Sequence, residues 1–277
     1  VCGLGEDVEE MGSLFGCARD LTREFGRERA FNTPISEAGF VGAGLGAAST
    51  GMRPIVELMY MDFALVAMDQ LINQVAKTRY IFGGRAKIPL VIRGQQGIGR
   101  GNAATHSQSL ETLFVHFPGL KVACPSTARD AAGLLRTAIR DDNPVMFFEH
   151  KALYGTRMEV PDDPEFMLPF GRADVKREGT DVTLVANLLY VSRALEAAEA
   201  LAGLHLRRGD RPDDARSLRP GDRRQFRQED RAAGGGARGA PQLRLGRGGG
   251  VDGARGGLQL PGRAAGPAGR EGLPAAL

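Results

Sequence analysis

Pro54-Ile-Val-Glu-Leu-Met59, Phe63–Arg79 and Pro89-Leu-Val-Ile-Arg93 succeed one another as an apolar strand-like run, a segment of helical period and a second strand-like run. In the middle segment Phe63, Val66, Ala67, Gln70, Leu71, Gln74 and Val75 map to one helix face. The same alternation continues on both sides. Val1-Cys-Gly-Leu-Gly5 is strand-like, and so are Lys121-Val-Ala-Cys124 and Pro144-Val-Met-Phe-Phe-Glu149. Between the last two, Ser126 is the expected N-cap of a helix, with Asp130 placed in its first turns to suit the helix dipole. That helix runs to about Arg140 and is broken by Asp141-Asp-Asn-Pro144. Strands alternating with helices over the first 150 residues predict an α/β layered domain.

Residues 151–177 form a proline- and acid-rich connection, with Pro161-Asp-Asp-Pro164 and Pro169. Asp181-Val-Thr-Leu-Val-Ala186 then reads as a strand and Val191–Ala202 as a helix, the opening of a second α/β domain. After Gly203 the chain has no Lys, Ile, Thr, Asn, Met, Cys or Tyr, and Arg, Gly, Ala, Pro and Asp dominate. Two readings suit this change. One is a disordered Arg/Gly tail that binds RNA or acidic surfaces. The other is a displaced reading frame. Shifted by one nucleotide, the codons of Phe226-Arg-Gln-Glu-Asp-Arg-Ala-Ala-Gly-Gly-Gly can encode Ser-Val-Arg-Lys-Thr-Gly-Arg-Leu-Val-Val-Val, a buried strand with turn punctuation. The expected organisation is therefore a domain at 1–155, a linker at 156–177, the start of a second domain at 178–203, and an out-of-frame, disordered tail at 204–277.

Bulk properties exclude several classes. The 277 residues carry a net charge of +3, too little for a nucleic-acid surface. Cys2, Cys17 and Cys124 lie far apart with no metal-ligand spacing, as reduced thiols would. No apolar run approaches the roughly 18–20 residues of a membrane span, and no charged-then-apolar leader opens the chain, so the cytoplasm is the expected compartment. Val1 leads straight into a strand-like run, from which a missing N-terminal piece is expected.

Three stretches are dense in features that carry chemistry. Asn32-Thr-Pro-Ile-Ser-Glu-Ala-Gly-Phe40 leads into the small-residue run Val41-Gly-Ala-Gly-Leu-Gly-Ala-Ala48, with Ser36 a candidate cap. Alone, Glu37 is an ordinary first-turn acid. Glu57-Leu-Met-Tyr-Met-Asp-Phe-Ala64 ends a strand and enters a helix, and alone Phe63 is ordinary core. Arg93-Gly-Gln-Gln-Gly-Ile-Gly-Arg-Gly-Asn-Ala-Ala-Thr-His106 is a long Gly-rich loop ending in a histidine. It matches neither GxxxxGK[ST] nor GxGxxG, which argues against nucleotide binding through it. A lone His106 is most simply a structural or surface histidine.

Together these stretches resemble the β subunits of the pyruvate, branched-chain 2-oxoacid and acetoin dehydrogenase complexes. The resemblance is carried by Gly5-Glu-Asp-Val8, Pro54-Ile-Val-Glu57, Asp69-Gln70, Asn73-Gln74, His106-Ser-Gln-Ser-Leu110, Pro118-Gly-Leu-Lys-Val122, Ala138-Ile-Arg-Asp-Asp-Asn-Pro144 and Leu153-Tyr-Gly155. It implies a thiamine-diphosphate-binding, transketolase-like pyrimidine-binding domain with a parallel sheet and flanking helices, followed by an incomplete transketolase C-terminal domain. It also implies that a separate α subunit holds the diphosphate and its magnesium. In agreement, the chain has no Gly-Asp-Gly followed by a paired Asn.

By that resemblance Glu37 is the cofactor-activating glutamate, hydrogen-bonded to the pyrimidine ring. Phe63 stacks on the pyrimidine, Met59 and Ile35 line the same pocket, and Glu6 is an acid of a proton relay. His106 is the active-site histidine, an acid/base during transfer to a lipoyl group or an orienting residue. The carbonyls of Leu90, Ala138, Asp141 and Asn143 fall where relatives hold a potassium ion. The implied partners are an α subunit, a second β subunit in a heterotetramer and a lipoyl-bearing acyltransferase. A rival within the family is 1-deoxyxylulose-phosphate synthase or transketolase, against which the short chain and the missing diphosphate motif argue. A rival of another class is an inactive truncated module with a nucleic-acid-binding tail. With its second domain cut short, this polypeptide is expected to assemble poorly and to be weakly active.

Overall fold

The computed structural model describes residues 1–208 and 226–229, which fall within one compact unit, Val1–Arg238. The rest of the expected tail, and with it the nucleic-acid-binding and displaced-frame readings, lies outside the described residues.

Six strands build the main sheet: β1 (Cys2–Gly5), β2 (Ala30–Asn32), β3 (Pro54–Leu58), β4 (Val91–Gln96), β5 (Lys121–Ala123) and β6 (Val145–His150). Their order is β2-β1-β3-β4-β6-β5, and every pairing is parallel. Parallel neighbours need crossovers, which helices supply. These are α1 (Leu21–Phe25), α2 (Glu37–Ser49), α3 (Ala76–Ile81), α4 (Glu111–His116) and α5 (Ala128–Arg140).

Side chains alternate along each strand, so both sheet faces are apolar where helices cover them. In β6, Met146 and Phe148 join one core cluster with Phe40 and Val41 of α2, Leu71, Val75 and Phe114. Val145 and Phe147 point the other way, to Leu134 and Ala138 of α5. Each fully buried Phe contributes about 1.5–3 kcal/mol. The alternation that predicted the layers is thus the alternation that fills them.

Several boundaries differ from expectation. The helix cap near residue 126 is Thr127, whose hydroxyl accepts the Asp130 N–H at 3.0 Å. Ser126 is engaged instead through its own hydroxyl, which donates to Asp130 Oδ2 at 2.7 Å. Ser36 does stand at the N-cap of α2, but its side chain makes no capping bond. The segment expected as one helix over Phe63–Arg79 is a 3-10 turn at Met61–Leu65, a π-helix at Asp69–Val75 and then α3. Irregular helix of this kind is concentrated at functional sites.

The linker also holds structure. Its last residues form β7 (Ala173–Arg177). The strand expected from Asp181 is confined to β8 (Val185–Ala186), and the following helix is longer than expected, α6 (Leu189–Arg208). Residues 226–229, assigned to the disordered tail, pair as β9 (Phe226–Glu229), antiparallel to β7 and parallel to β8.

β7 is tied to the main domain by charge. Lys176 lies 3.3 Å from Asp130, which is only 1% exposed. Burial alone would raise the Asp130 carboxyl, but the Ser126 hydroxyl and the Lys176 ammonium outweigh it and hold the group below its ordinary value. Asp130→Asn is therefore expected to cost about 1.5–3 kcal/mol in urea unfolding at neutral pH. The folded value is depressed, so this stabilisation is present above the unfolded carboxylate range and fades as pH falls through the folded value. A wild-type-to-variant difference that stayed constant from pH 7 to the acid limit would contradict the assignment.

Candidate active site

In a parallel sheet all C-terminal strand ends lie on one edge, the usual place for ligands in α/β folds. Four adjacent strands, β2, β1, β3 and β4, deliver the candidate groups to that edge here.

β1 ends at Gly5 and is followed directly by Glu6, which is buried. Asn32 ends the neighbouring β2, and the chain then turns into α2, whose first residue is Glu37. Glu37 is 7% exposed, and no hydrogen bond or ion pair to its carboxyl is found among the described residues. Burial raises the Glu6 carboxyl, and the charges of Glu37 and Asp7 raise it further. Glu6 thus lies where holding a proton is favoured, with Glu37 as its charged neighbour. Ile35, by contrast, is 84% exposed on the turn before α2.

β3 ends at Leu58 and leads through Met59 and Tyr60 into the turn bearing Phe63. Met59 is half-buried, and its carbonyl accepts Gln95 Nε2 at 2.9 Å. The Gly-rich loop after β4 carries a 3-10 turn at Ala104–His106 that brings His106 to the same place. The His106 ring meets Phe63 edge-on at 5.3 Å and Tyr60 edge-on at 4.7 Å, while Tyr60 and Phe63 are 6.0 Å apart. Edge-to-face contacts of this kind hold rings in defined orientations. The Thr105 hydroxyl lies 3.0 Å from His106 Nδ1, leaving Nε2 as the other working nitrogen.

The loop that does this is unusual backbone. Gly97, Gly99 and Gly101 have positive φ, and a Cβ on Gly97 would stand 2.2 Å from His150 Nε2. Ala103 has φ 60° and ψ −172°, a combination that strains any residue with a side chain.

Beneath the edge, Arg93 of β4 is 8% exposed. It donates to both oxygens of Glu149 at 2.8 and 2.6 Å and to Glu57 Oε2. The Tyr154 hydroxyl donates to Glu149 at 2.5 Å. Burial raises the Glu57 carboxyl despite the Arg93 charge beside it.

The expected site residues therefore fall into two groups on one edge: the acids Glu6 and Glu37, and the rings of Phe63 and His106 with Met59 near them. Ile35 stands apart from both at the surface. Sequence reasoning missed Tyr60 and the Arg93 triad. Tyr60 lies within a stretch singled out for Phe63, and the triad needs strand register (Glu57 opposite Arg93, one strand from Glu149) to be seen. The candidate potassium carbonyls cluster around the end of α5. Leu90 O accepts the Val145 N–H at 2.9 Å, and Asp141 O accepts Arg53 Nη1 at 3.0 Å.

Residues 1–157 match the family described as transketolase, pyrimidine binding domain. The chain belongs to that family. Among curated proteins, this pyrimidine-binding-domain chain is 51% identical over 219 residues to the acetoin:2,6-dichlorophenolindophenol oxidoreductase subunit beta of Bacillus subtilis, covering 78% of the chain and 63% of that protein. It is 48% identical to the pyruvate dehydrogenase E1 component subunit beta of Rhizobium meliloti, covering 72% and 43% respectively. The chain thus spans less than two thirds of the length of these relatives. In fold it is similar to a split gene transketolase, an inactive β4 tetramer, with a TM-score of 0.60 at 21% identity, covering 84% of this chain and 66% of that one. Among the described residues no helix is long and apolar enough to cross a membrane, and no group of three or more His, Cys, Asp or Glu could hold a metal ion.

Proposed function

We propose that this chain is the β subunit of a heteromeric 2-oxoacid dehydrogenase. Paired with an α subunit, it carries out the thiamine-diphosphate-dependent oxidative decarboxylation of pyruvate or a branched-chain 2-oxo acid and acylates a lipoyl group. The observation that carries this reading is Glu37, a buried carboxyl with no protein partner among the described residues, beside a second acid raised by burial. Such a group suits a ring nitrogen that exchanges a proton, so the donor set fits the aminopyrimidine of thiamine diphosphate.

In this reading Glu37 holds the pyrimidine through a shared proton on its carboxyl, and Phe63 and Met59 supply the apolar wall. Glu6 relays protons to and from that carboxyl. When bound, thiamine diphosphate supplies the carbon nucleophile that attacks the 2-oxo group. His106 Nε2 gives or takes a proton as the acyl group moves to the lipoyl sulfur. The exposure of Ile35 supports a half-site that closes against a second chain, where Ile35 becomes a lining residue.

The α subunit brings the diphosphate and its magnesium. A second β subunit completes the heterotetramer, and a lipoyl-bearing acyltransferase takes the product, all in the cytoplasm. The carbonyls of Leu90, Ala138, Asp141 and Asn143 suit a potassium ion by donor chemistry, since a carbonyl that accepts one hydrogen bond keeps a second lone pair. The first domain is placed at 1–155, joined by 156–177 to the start of a transketolase C-terminal domain at 178–203. The reading frame of residues beyond 203 is displaced. One observation favours acetoin cleavage as a second reading: identity to the acetoin oxidoreductase subunit is 51%, against 48% for the pyruvate dehydrogenase subunit.

The test is co-expression with an α subunit that carries the magnesium-diphosphate motif, followed by dye reduction with pyruvate, a branched-chain 2-oxo acid and acetoin. The chain with its frame restored near residues 203–206 is expected to reduce dye with one of the three. The chain as it stands is expected to be much weaker. No substrate-dependent reduction by the restored pair would overturn the proposal.

A further inference from the structure

Lys151 is the first residue after β6 and is 1% exposed. Its ammonium donates a hydrogen bond to the His106 carbonyl and lies 5.3 Å from the centroid of the Tyr60 ring. That ring is the one that meets the His106 imidazole edge-on, and its hydroxyl accepts Asn102 Nδ2 at 2.9 Å. The ammonium and the imidazole therefore share one aromatic ring, and the ammonium is also bonded to the residue that bears the imidazole.

Burying an ammonium is costly. Burial pushes the Lys151 value down, the buried Asp62 carboxylate opposes this, and Arg100 adds to it. No carboxylate forms an ion pair with Lys151 among the described residues, so the cost is offset mainly by what the ammonium holds. A methionine would fill the space without that cost. What the ammonium holds is the end of a loop that needs an anchor. From Gly97 to Ala103 four residues have positive φ, the last of them strained.

We propose that Lys151 is a positioning residue for His106, fixing the turn that presents the imidazole by bonding its carbonyl and bracing the Tyr60 ring. The role in catalysis rests on the reading of His106 as an active-site group, whereas the positioning itself does not. The bond joins β6 to the loop after β4, neighbouring strands whose parallel register puts Gln96 opposite His150. One strand end thereby sets the geometry of the loop at the next.

The full-length chain, labelled at histidine, tyrosine and lysine, tests this by NMR. Wild type is expected to show nuclear Overhauser contacts from the His106 ring to Tyr60 and from the Lys151 side chain to Tyr60. Lys151→Met is expected to lose the His106–Tyr60 contact and the ring-current shift of the His106 signals, while Lys151→Arg, which keeps a cationic donor, retains both. A folded Lys151→Met that keeps the contact and the shift would overturn the proposal. Should Lys151→Met not fold, Lys151→Gln takes its place, and absence of the Lys151–Tyr60 contact in wild type overturns the proposal by itself. In the complex with an α subunit, Lys151→Met is expected to lower kcat roughly 10²-fold with little change in KM, and Lys151→Arg to restore it. If His106→Ala leaves kcat unchanged while Lys151→Met still loses the ring contact, the positioning stands and the catalytic reading of His106 fails.

Discussion

Exchanging Glu37 for glutamine is expected to lower dye reduction by the paired subunits roughly 10²–10⁴-fold while leaving the fold intact. Glutamine matches the shape of glutamate and keeps an acceptor, but its amide N–H can only donate a hydrogen bond and cannot exchange a proton with a ring nitrogen. The fold is spared because Glu37 makes no bond within the described residues that glutamine would break. Stability should even gain slightly. The Glu6 carboxyl is raised first by burial and then by the Glu37 charge. A carboxyl raised on folding opposes the folded state once pH exceeds its unfolded value. Removing the Glu37 charge relaxes part of that opposition, so thermal unfolding at pH 7 should be unchanged or slightly later. Near-normal turnover by Glu37→Gln would show that this acid is only a first-turn helix residue, as its position alone suggests.

Arg93→Met is the most destabilising single change expected in the domain, about 3–5 kcal/mol. It leaves Glu57 and Glu149, on the strands either side of β4, nearly buried and without their cation. Burial already raises Glu57 with Arg93 in place. Against a total stability on the order of 5–15 kcal/mol, such a loss removes a large share of the margin. The companion variant separates charge from packing. Arg93→Met combined with Glu57→Gln and Glu149→Gln leaves no uncompensated charge and should recover most of the loss, because the cost lies in the orphaned carboxylates. Urea unfolding of both proteins checks this. A loss below about 1 kcal/mol for Arg93→Met, the scale of an exposed pair, would mean that the triad is solvated.

How far the sequence could be read follows from element length and from which contacts are local. β3, β4, β6 and α5 were legible because each carries enough residues for a period of 2 or 3.6 to repeat. β2, with three residues, is too short for any period to show, while the strand expected over Asp181–Ala186 exists only as the two residues of β8. Thr127 and Ser126 are both good capping residues, and only the backbone decides between them. The helical face from Phe63 to Val75 was recognised, but its 3-10 and π turns leave no mark in a hydrophobic pattern.

The site followed the same division. Glu37, Phe63 and His106 each had an ordinary explanation alone, and only the wording of the surrounding motifs pointed to a shared pocket. Lys151 was assigned to a connecting segment because proline and acid follow it. Its partner His106 is 45 residues away, and only parallel pairing of β4 with β6 brings them together. A basic residue directly after the end of β6, three positions past the apolar run Val145–Phe148, is the one signal available, since a strand end in a parallel sheet is where such a residue acts.

The most direct test of the half-site account is thiamine diphosphate binding measured by calorimetry in the presence of magnesium. It compares the frame-restored chain alone, an α subunit alone and the two together. The account predicts saturable binding by the pair, greatly weakened by Glu37→Gln, and none by the β chain alone. Equal binding by the isolated chain, or a pair indifferent to Glu37→Gln, would contradict it.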